Sequence, residues 1–338
     1  MNLLVCYTPL HALIAMRLAE LGAIGNFRLL YLCFNDAPSH RAYYARLSRY
    51  ATHGSDLIQL PHDFRDPWRL AVWGRSVRKA GVPLKLICGN FKHAHSRFLA
   101  WMFGIRRFET FDDGSGNIVE NGYFSESRES RAGRCLFAVL GRRYLYVNAV
   151  RDIERHYSIY AERNVYEDHA HELVRFDLMS GLTEGGTALR GKTTAEVGGE
   201  TATVYIGHAL TEDNLRSPAD AERIDRAVHA NYAVDYFLPH PRSRVISHYA
   251  PLREKCVATS LIAEEFVIGL RQRHAHVRVI GLHSTALLNL SSLAGIDAIN
   301  LQALDSQAAA SLTRMMASRS VSIITESDLM RDYETRRA

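Results

Sequence analysis

Two adjacent carboxylates, Asp112 and Asp113, directly follow a short apolar run and precede a flexible Gly-Ser-Gly turn that begins at Gly114. Neighbouring carboxylates raise each other's pKa, which can keep one of them basic near neutral pH. Asp and Gly are also common turn residues, so a plain turn is the alternative interpretation. The Gly-Ser-Gly sequence does not complete a dinucleotide-binding fingerprint.

A histidine between two prolines forms the second motif. Pro239, His240 and Pro241 follow the apolar residues 236–238. Prolines fix φ and lack an N–H donor, so they hold the imidazole rigidly at the end of a strand. Histidine has an ordinary pKa near 7, which suits a general acid. The alternative is a structural histidine bonded to its surroundings.

A third motif runs from an apolar stretch through Gly281 to Ser284 and Thr285 at a predicted helix start. Hydroxyls and free amides at such a position bind phosphate, although a simple helix cap is the alternative. The P-loop pattern is absent, which argues against an NTPase.

A fourth motif is the loop after residues 202–206, which carries Asp213. Its carboxylate is a candidate base at a strand end, and a solvated loop is the alternative.

These motifs lie between strand and helix signals that alternate along both halves of the chain. Predicted strands in the first half are 3–7, 28–34, 57–60, 84–88 and 107–111, with 144–147 as a less regular candidate. Those in the second half are 202–206, 235–238, 277–280 and 320–324. Such alternation predicts open parallel sheets, which bind ligands at the carboxyl ends of their strands.

The predicted fold class is therefore α/β, with two Rossmann-like domains facing each other across a cleft, a GT-B-like architecture. The predicted domains are 1–180 and 202–330, joined by a Gly- and Thr-rich linker at 181–201 and followed by a polar tail at 331–338. A single doubly wound domain with an insertion is the alternative.

Composition narrows the class of protein. The 338 residues are 47% hydrophobic and carry a net charge of +5, which excludes disorder and does not favour a nucleic-acid binder. The five scattered cysteines form no CxxC pair, which argues against a zinc site and favours a reducing, cytoplasmic setting. The first residues lack the features of a signal peptide, and no run of 18 apolar residues occurs, so any membrane contact is expected to be peripheral.

Taken together, the motifs resemble those of the bacterial lipooligosaccharide sialyltransferases, glycosyltransferase family fifty-two, over nearly the whole chain. The opening residues 2–10, with the turn at Thr8 and Pro9, are similar to that family's first strand and turn. Asp112-Asp113-Gly114 is similar to an acidic motif of bacterial sialyltransferases, His240-Pro241 to their His-Pro motif, and Ser284-Thr285 to their phosphate-binding pair. Residues 155–160 also resemble a family segment.

The resemblance implies an inverting, metal-independent transfer of sialic acid from CMP-sialic acid, without a cofactor, to a terminal sugar, commonly galactose, of a glycan or glycolipid. It implies His240 as acid and Asp213 as base, with Asp112 as the second candidate base. It implies that Pro239, Pro241, Gly281, Ser284 and Thr285 contact the donor, and that Glu265, or instead Glu264, binds its ribose. Asp113, Gly114, Thr8 and Pro9 would lie on the acceptor side, and a homodimer at the inner membrane surface would fit the family.

Two other functions remain open. The enzyme could use another donor, CMP-Kdo or a uridine-linked sugar. Alternatively, the basic, Trp-bearing segment 65–79 could make the chain a non-catalytic membrane- or polyanion-binding protein, although an ordinary surface helix has the same pattern.

Overall fold

The computed structural model describes residues 1–60, 66–119, 124, 131–184, 201–212, 214–241, 243, 246–247, 249–304 and 306–337. The chain divides into two compact units, Met1–Leu178 and Met179–Ala338. Each contains its own parallel sheet with helices.

The described part of the first unit contains a seven-stranded sheet in the order β3-β2-β1-β4-β5-β6-β7, with every neighbouring pair parallel. Its strands are β1 (Asn2–Cys6), β2 (Phe27–Cys33), β3 (Ser55–Gln59), β4 (Lys85–Cys88), β5 (Phe108–Phe111), β6 (Ile153–Ser158) and β7 (Glu172–Arg175). Central strands of parallel sheets are covered on both faces, which explains why Leu3 to Cys6 are all buried.

Helices connect these strands. They are α1 (Pro9–Glu20), α2 (Pro38–Leu47), α3 (Pro67–Ala80), α4 (Ala94–Phe103), α5 (Arg131–Leu140), α6 (Tyr146–Ala149) and α7 (Leu178–Glu184), the last at the boundary between the units. The chain leaves β1 toward β2 and β3 and then returns to β4 on the other side of β1. This reversal between β1 and β4 creates the crevice at which open α/β sheets bind ligands.

The second unit's described residues contain a five-stranded parallel sheet in the order β12-β11-β10-β8-β9. Its strands are β8 (Thr201–Ile206), β9 (Tyr236–Leu238), β10 (His276–Gly281), β11 (Ile296–Gln302) and β12 (Ser322–Thr325). Its helices are α8 (Pro218–Tyr232), α9 (Ala250–Glu254), α10 (Ala263–Arg271), α11 (Thr285–Leu290), α12 (Gln307–Ser318) and α13 (Glu326–Arg337).

The prediction of two Rossmann-like α/β units is confirmed, and the single doubly wound domain is wrong because the chain forms two separate sheets. The strand predicted at 144–147 is also wrong, since these residues lie in a 3-10 turn and α6. The sequence patterns missed β6, β7 and β11.

The structure describes parts of the predicted linker and most of the predicted tail. Of the predicted linker at 181–201, residues 181–184 belong to α7, residue 201 begins β8, and 185–200 lie outside the described residues. The tail predicted at 331–338 is wrong up to residue 337, because α13 continues to Arg337 and packs on α8. Its Glu326 pairs with Arg216 and Arg223, which fixes the start of this highly charged helix.

Candidate functional site

The carboxyl edge of the first sheet gathers the polar residues that follow β1, β4 and β5. Thr8 caps α1, where its Oγ1 accepts a hydrogen bond of 3.1 Å from the His11 amide, and Pro9 occupies the first helical position. This start is favourable because proline there loses no helical hydrogen bond. Thr8 and Pro9 thereby set His11 in the first turn of α1, at the sheet edge.

His11 and Asn90 both donate to Asp113. The His11 Nε2 atom lies 2.6 Å from Asp113 Oδ1, and Asn90 Nδ2 lies 2.7 Å from Oδ2. His11 Nδ1 accepts from the Tyr7 amide at 3.2 Å, so the hydrogen of the neutral imidazole must sit on Nε2. The ring therefore has a fixed tautomer that points a donor at the carboxylate.

Asp113 remains accessible despite these bonds. Its side chain is 24% exposed, whereas His11 is fully buried. Burial raises the pKa of Asp113, but the opposing effects of His11, His93 and Asn90 leave that pKa below its ordinary value. The first sheet thus presents an ionised, oriented carboxylate at its carboxyl edge.

Asp112 has the opposite environment and is fully buried. Its Oδ1 accepts from His156 Nε2 at 3.0 Å and Asn164 Nδ2 at 2.8 Å, and its Oδ2 from Ser158 Oγ at 2.7 Å and the Ile159 amide at 2.8 Å. Four donors occupy this carboxylate, which ties the end of β5 to the end of β6. Of the adjacent acidic pair, the geometry therefore favours Asp113 as the one that meets a ligand.

Two glycines allow this arrangement. An added Cβ on Gly89 would lie 2.6 Å from the His11 ring, so only glycine lets β4 end against that imidazole. Gly114 has a φ of +69° and turns the chain immediately after Asp113. Both positions constrain the backbone around the carboxylate.

Histidines follow three neighbouring strands of the second sheet. His208, His240 and His283 come after β8, β9 and β10. The rings of His208 and His240 are 5.9 Å apart between centroids, and both line a small cavity of ≈ 30 Å³. Among the described residues, no group of three His, Cys, Asp or Glu side chains is arranged to hold a metal ion.

His283 is held in an unusual conformation. Its φ is +47°, a left-handed value that glycine adopts freely and that Asn, Asp and His tolerate better than other side chains. Its amide donates to Asn300 Oδ1 at 2.7 Å, and neither ring nitrogen has a hydrogen-bond partner among the described residues. Burial, followed by the charge of His208, lowers the pKa of His283 to about 4, so its ring is neutral at pH 7.

Ser284 and Thr285 lie next to this histidine. Ser284 precedes α11, yet its side chain makes no capping hydrogen bond, which leaves the hydroxyl uncommitted by the helix. A Cβ on Gly281 would meet the Ser284 Cβ at 3.4 Å, so glycine brings the strand end close to the loop. Because α11 has only six residues, the hydroxyls matter more here than the helix dipole.

The two candidate ribose-binding acids are both buried near the start of α10. Glu264 accepts from Asn289 Nδ2 at 2.8 Å, which ties α10 to α11, and burial raises the pKa of Glu264. Glu264 thus serves to hold α10 against α11, and Glu265, equally buried, is the other candidate.

The remaining predicted residues are Pro239, Pro241 and Asp213. Pro239 is half-buried and Pro241 exposed, on either side of the half-buried His240. Asp213 lies outside the described residues. In the second unit the structure therefore brings His240, Gly281, Ser284 and Thr285 to the ends of β9 and β10, in the sheet order β10-β8-β9.

A larger cavity of ≈ 410 Å³ opens at the ends of β11 and β12. Its lining includes Arg216 and Arg223, which share Glu326 at 2.9 and 3.0 Å. None of the predicted donor-binding residues lines it.

Sequence reasoning missed four residues at these edges: His11, Asn90, His208 and His283. Each follows a predicted strand within a few positions, so strand-end placement was the available signal. For His11, Asn90 and His283, the hydrogen-bond partner that reveals the role comes from another strand end or loop and is not apparent from the local sequence.

The two parallel-sheet units, with polar side chains collected at their strand ends, define an α/β protein whose sheets have the strand-end arrangement at which such folds bind ligands. The family model "Glycosyltransferase family 52" matches residues 84–303. The chain belongs to this family and is a glycosyltransferase. The matched range contains the Asp112-Asp113 pair, His240, Ser284 and Thr285.

Similarity to a curated protein extends beyond that range. The chain is 26% identical over 294 residues to a CMP-N-acetylneuraminate:beta-galactoside alpha-2,3-sialyltransferase of Pasteurella multocida (strain Pm70), covering 86% of this chain and 87% of that protein.

Two solved structures are similar to the whole chain. A UGT transferase from Siraitia grosvenorii in complex with UDP has a TM-score of 0.47 at 10% identity, with 91% of that chain covered. MurG of Acinetobacter baumannii has a TM-score of 0.43 at 11% identity, with 90% covered. Among the described helices, none is both long and apolar enough to cross a membrane.

Proposed function

We propose that the chain is a sialyltransferase that moves sialic acid from CMP-sialic acid to a galactoside. The observation that carries this proposal is the similarity to the Pasteurella protein, which extends over 86% of this chain and 87% of that one. It is supported by the family match, because residues 84–303 include the motifs that end β5, β9 and β10.

The second unit would bind the donor. Its phosphate needs groups that stabilise the negative charge developing on departing CMP. His240, held between Pro239 and Pro241, and the Ser284 and Thr285 hydroxyls supply such groups without a metal ion. Glu265 would bind the ribose, while Gly281 keeps the strand end close to the phosphate loop.

The proposed transfer is an inverting displacement. Asp213 takes the proton from the acceptor hydroxyl as its oxygen bonds to the anomeric carbon, and the bond from that carbon to the CMP phosphate oxygen breaks. His240 donates a proton or a hydrogen bond to the departing phosphate. A general acid and a general base each typically contribute roughly 10²–10⁴-fold to such a step.

The first unit would bind the acceptor through Asp113. An ionised carboxylate accepts hydrogen bonds from sugar hydroxyls, and His11 and Asn90 already orient it. Thr8, Pro9 and Gly114 shape the backbone around it. The acceptor in this proposal is a galactose-terminated glycan or glycolipid, such as a bacterial lipooligosaccharide, and the enzyme acts as a homodimer on the cytoplasmic side of the membrane.

Incubation with CMP-sialic acid and a galactoside, followed by mass spectrometry, tests the reaction. We expect a product heavier by one sialyl residue, with the same yield in EDTA. CMP-Kdo and UDP-sugars serve as competing donors. Transfer from one of these but not from CMP-sialic acid would reject the donor, and loss of activity in EDTA with rescue by Mg²⁺ would reject metal independence.

A further inference from the structure

Helix α3 carries an exposed stripe that combines aromatic and basic side chains. Trp68, Val72, Arg75 and Lys79 follow one another at spacings of four, three and four residues, which places them on one face of the helix. Trp68 is 61% and Val72 57% exposed, and Arg75 and Lys79 are exposed as well. Folding of the unit therefore leaves two large apolar side chains on this face in water.

The opposite face of α3 packs into the core of the first unit. Leu70, Trp73 and Val77 are buried against the sheet, and Trp73 donates from Nε1 to Asp56 Oδ2 at 2.9 Å. Of the two tryptophans in α3, one thus belongs to the core and the other does not. Trp68 has no comparable packing role.

The neighbouring helix α4 carries a further exposed tryptophan. Trp101 is 37% exposed near the end of α4. Gly74 allows a close approach of the two helices, because a Cβ there would collide with the Met102 side chain. We call the exposed set Trp68, Val72, Arg75, Lys79 and Trp101 the α3–α4 surface. Its two helices pack directly against each other at Gly74 and Met102.

The charged side chains of α3 and α4 are all basic. The sequence of α3 contains Arg69, Arg75, Arg78 and Lys79 and no acidic residue, and α4 contains no acidic residue either. Arg69 and Arg78 donate to the Gln59 and Met102 carbonyls, contacts that leave their charge uncompensated. Among the residues that the structure describes, the acidic residue nearest to α3 along the chain is the half-buried Asp66, just before the helix.

We propose that the α3–α4 surface docks the enzyme on an anionic phospholipid bilayer. Interfacial segments combine Trp and apolar side chains, which enter the headgroup boundary, with Lys and Arg, which pair with lipid phosphates. A soluble polyanion would use the basic residues but would not account for Trp68 and Val72. The family match begins at residue 84, after α3, so the stripe on α3 is outside the matched catalytic region.

Vesicle sedimentation tests the proposal without any enzymatic assay, so its failure is separable from failure of the proposed function. The full-length protein is mixed with phosphatidylcholine vesicles, or with vesicles in which about a third of the lipid is phosphatidylglycerol. We expect binding to the anionic vesicles only. Arg75→Glu/Lys79→Glu should weaken partitioning by roughly tenfold or more, since each basic residue near the surface adds to the attraction.

Two matched variants sharpen the test. Arg49→Glu/Arg314→Glu changes net charge equally at exposed positions on α12 and on the 3-10 turn after α2, and should bind as wild type. Trp68→Ala keeps every charge and should still weaken binding. All variants should keep the wild-type melting temperature and transfer to a water-soluble galactoside.

Three outcomes would overturn the proposal. The first is a loss of vesicle binding in Arg49→Glu/Arg314→Glu equal to that in Arg75→Glu/Lys79→Glu, which would indicate that overall charge alone drives binding. The second is unchanged binding of Trp68→Ala. The third is retention on heparin by wild type without binding to anionic vesicles, which would identify a polyanion site instead.

Discussion

His11 and Asp113, 102 residues apart in the chain, are joined by a hydrogen bond of 2.6 Å between Nε2 and Oδ1. The Tyr7 amide fixes the imidazole tautomer, and the bond in turn fixes the carboxylate. The first sheet therefore positions Asp113 with the precision that substrate binding requires.

Asp113→Asn should weaken acceptor binding more than it slows turnover. The new amide nitrogen must face a donor, His11 or Asn90, so one of the two orienting bonds is lost and the negative charge disappears. We expect the acceptor KM to rise about tenfold and kcat to fall less, the pattern of lost ground-state positioning. Steady-state kinetics with varied galactoside measures both.

Asp112→Asn is the companion variant and should act on folding instead. Its carboxylate is buried among four donors, and an amide can satisfy only part of them. We expect a loss of about 2–4 kcal/mol of unfolding free energy. A urea midpoint equal to wild type, together with abolished transfer, would instead make Asp112 the base.

Gly89→Ala should disturb the same carboxylate indirectly. The added methyl would lie 2.6 Å from a buried ring that is bonded at both nitrogens, so the ring or the strand end must move. We expect a loss of roughly 1–3 kcal/mol of stability, typical of overpacking. Gly281→Ala, whose Cβ would meet its nearest neighbour at 3.4 Å, is the control and should melt close to wild type.

His240→Ala should lower kcat by roughly two to four orders of magnitude, as expected for a lost general acid. CMP should still bind, since Ser284 and Thr285 remain. Calorimetry with CMP and kinetics with the full donor separate the two effects. His276→Gln, which changes an exposed histidine at the start of β10, is the control and should keep wild-type turnover. Turnover close to wild type in His240→Ala would make His240 structural.

Asp213→Asn should nearly abolish transfer to galactosides while affecting slow donor hydrolysis less, because water can attack the anomeric carbon as CMP departs without a base positioned at the acceptor hydroxyl. The adjacent Glu212→Gln is a matched control with the same change of charge and should retain activity. Parallel assays of sialylated product and released CMP measure the two reactions. Equal loss in both variants would assign the effect to the loop rather than to one base.

His283 should make stability depend on pH. Its pKa is lowered from an ordinary 6.5 to about 4, so between these values the unfolded chain binds a proton that the folded chain does not. Stability from this group is complete above pH 6.5 and is lost as pH falls toward 4, by up to about 3 kcal/mol. His283→Asn, which tolerates the positive φ, should show a correspondingly flatter profile in urea titrations at several pH values.

The strand-end logic of the sequence located most of the candidate site, but not which carboxylate faces outward. That choice depends on β6, which was missed because its sequence Ile-Glu-Arg-His-Tyr-Ser is not an apolar run. His156 and Ser158 are buried polar residues that serve Asp112, so the strand carries polar partners where a parallel strand normally carries apolar ones.

Two other elements, one that the sequence patterns missed and one predicted as a tail, differ from prediction for similar physical reasons. In β11, the buried Asn300 interrupts the apolar pattern because its side chain binds the His283 amide. Helix α13 is rich in charge and looks like a tail until its ion pairs with Arg216 and Arg223 are known. In each case the signal lies in a tertiary partner rather than in local periodicity.

The buried Asp112 also constrains the order in which the chain can fold during synthesis. Its four donors are contributed by residues 156–164, at least 44 positions further along. A nascent chain that ends before His156 would have to bury this carboxylate without its partners, at a cost of several kcal/mol. The ribosome must therefore have released β6 and the loop after it before the edge of the sheet that holds Asp113 can close.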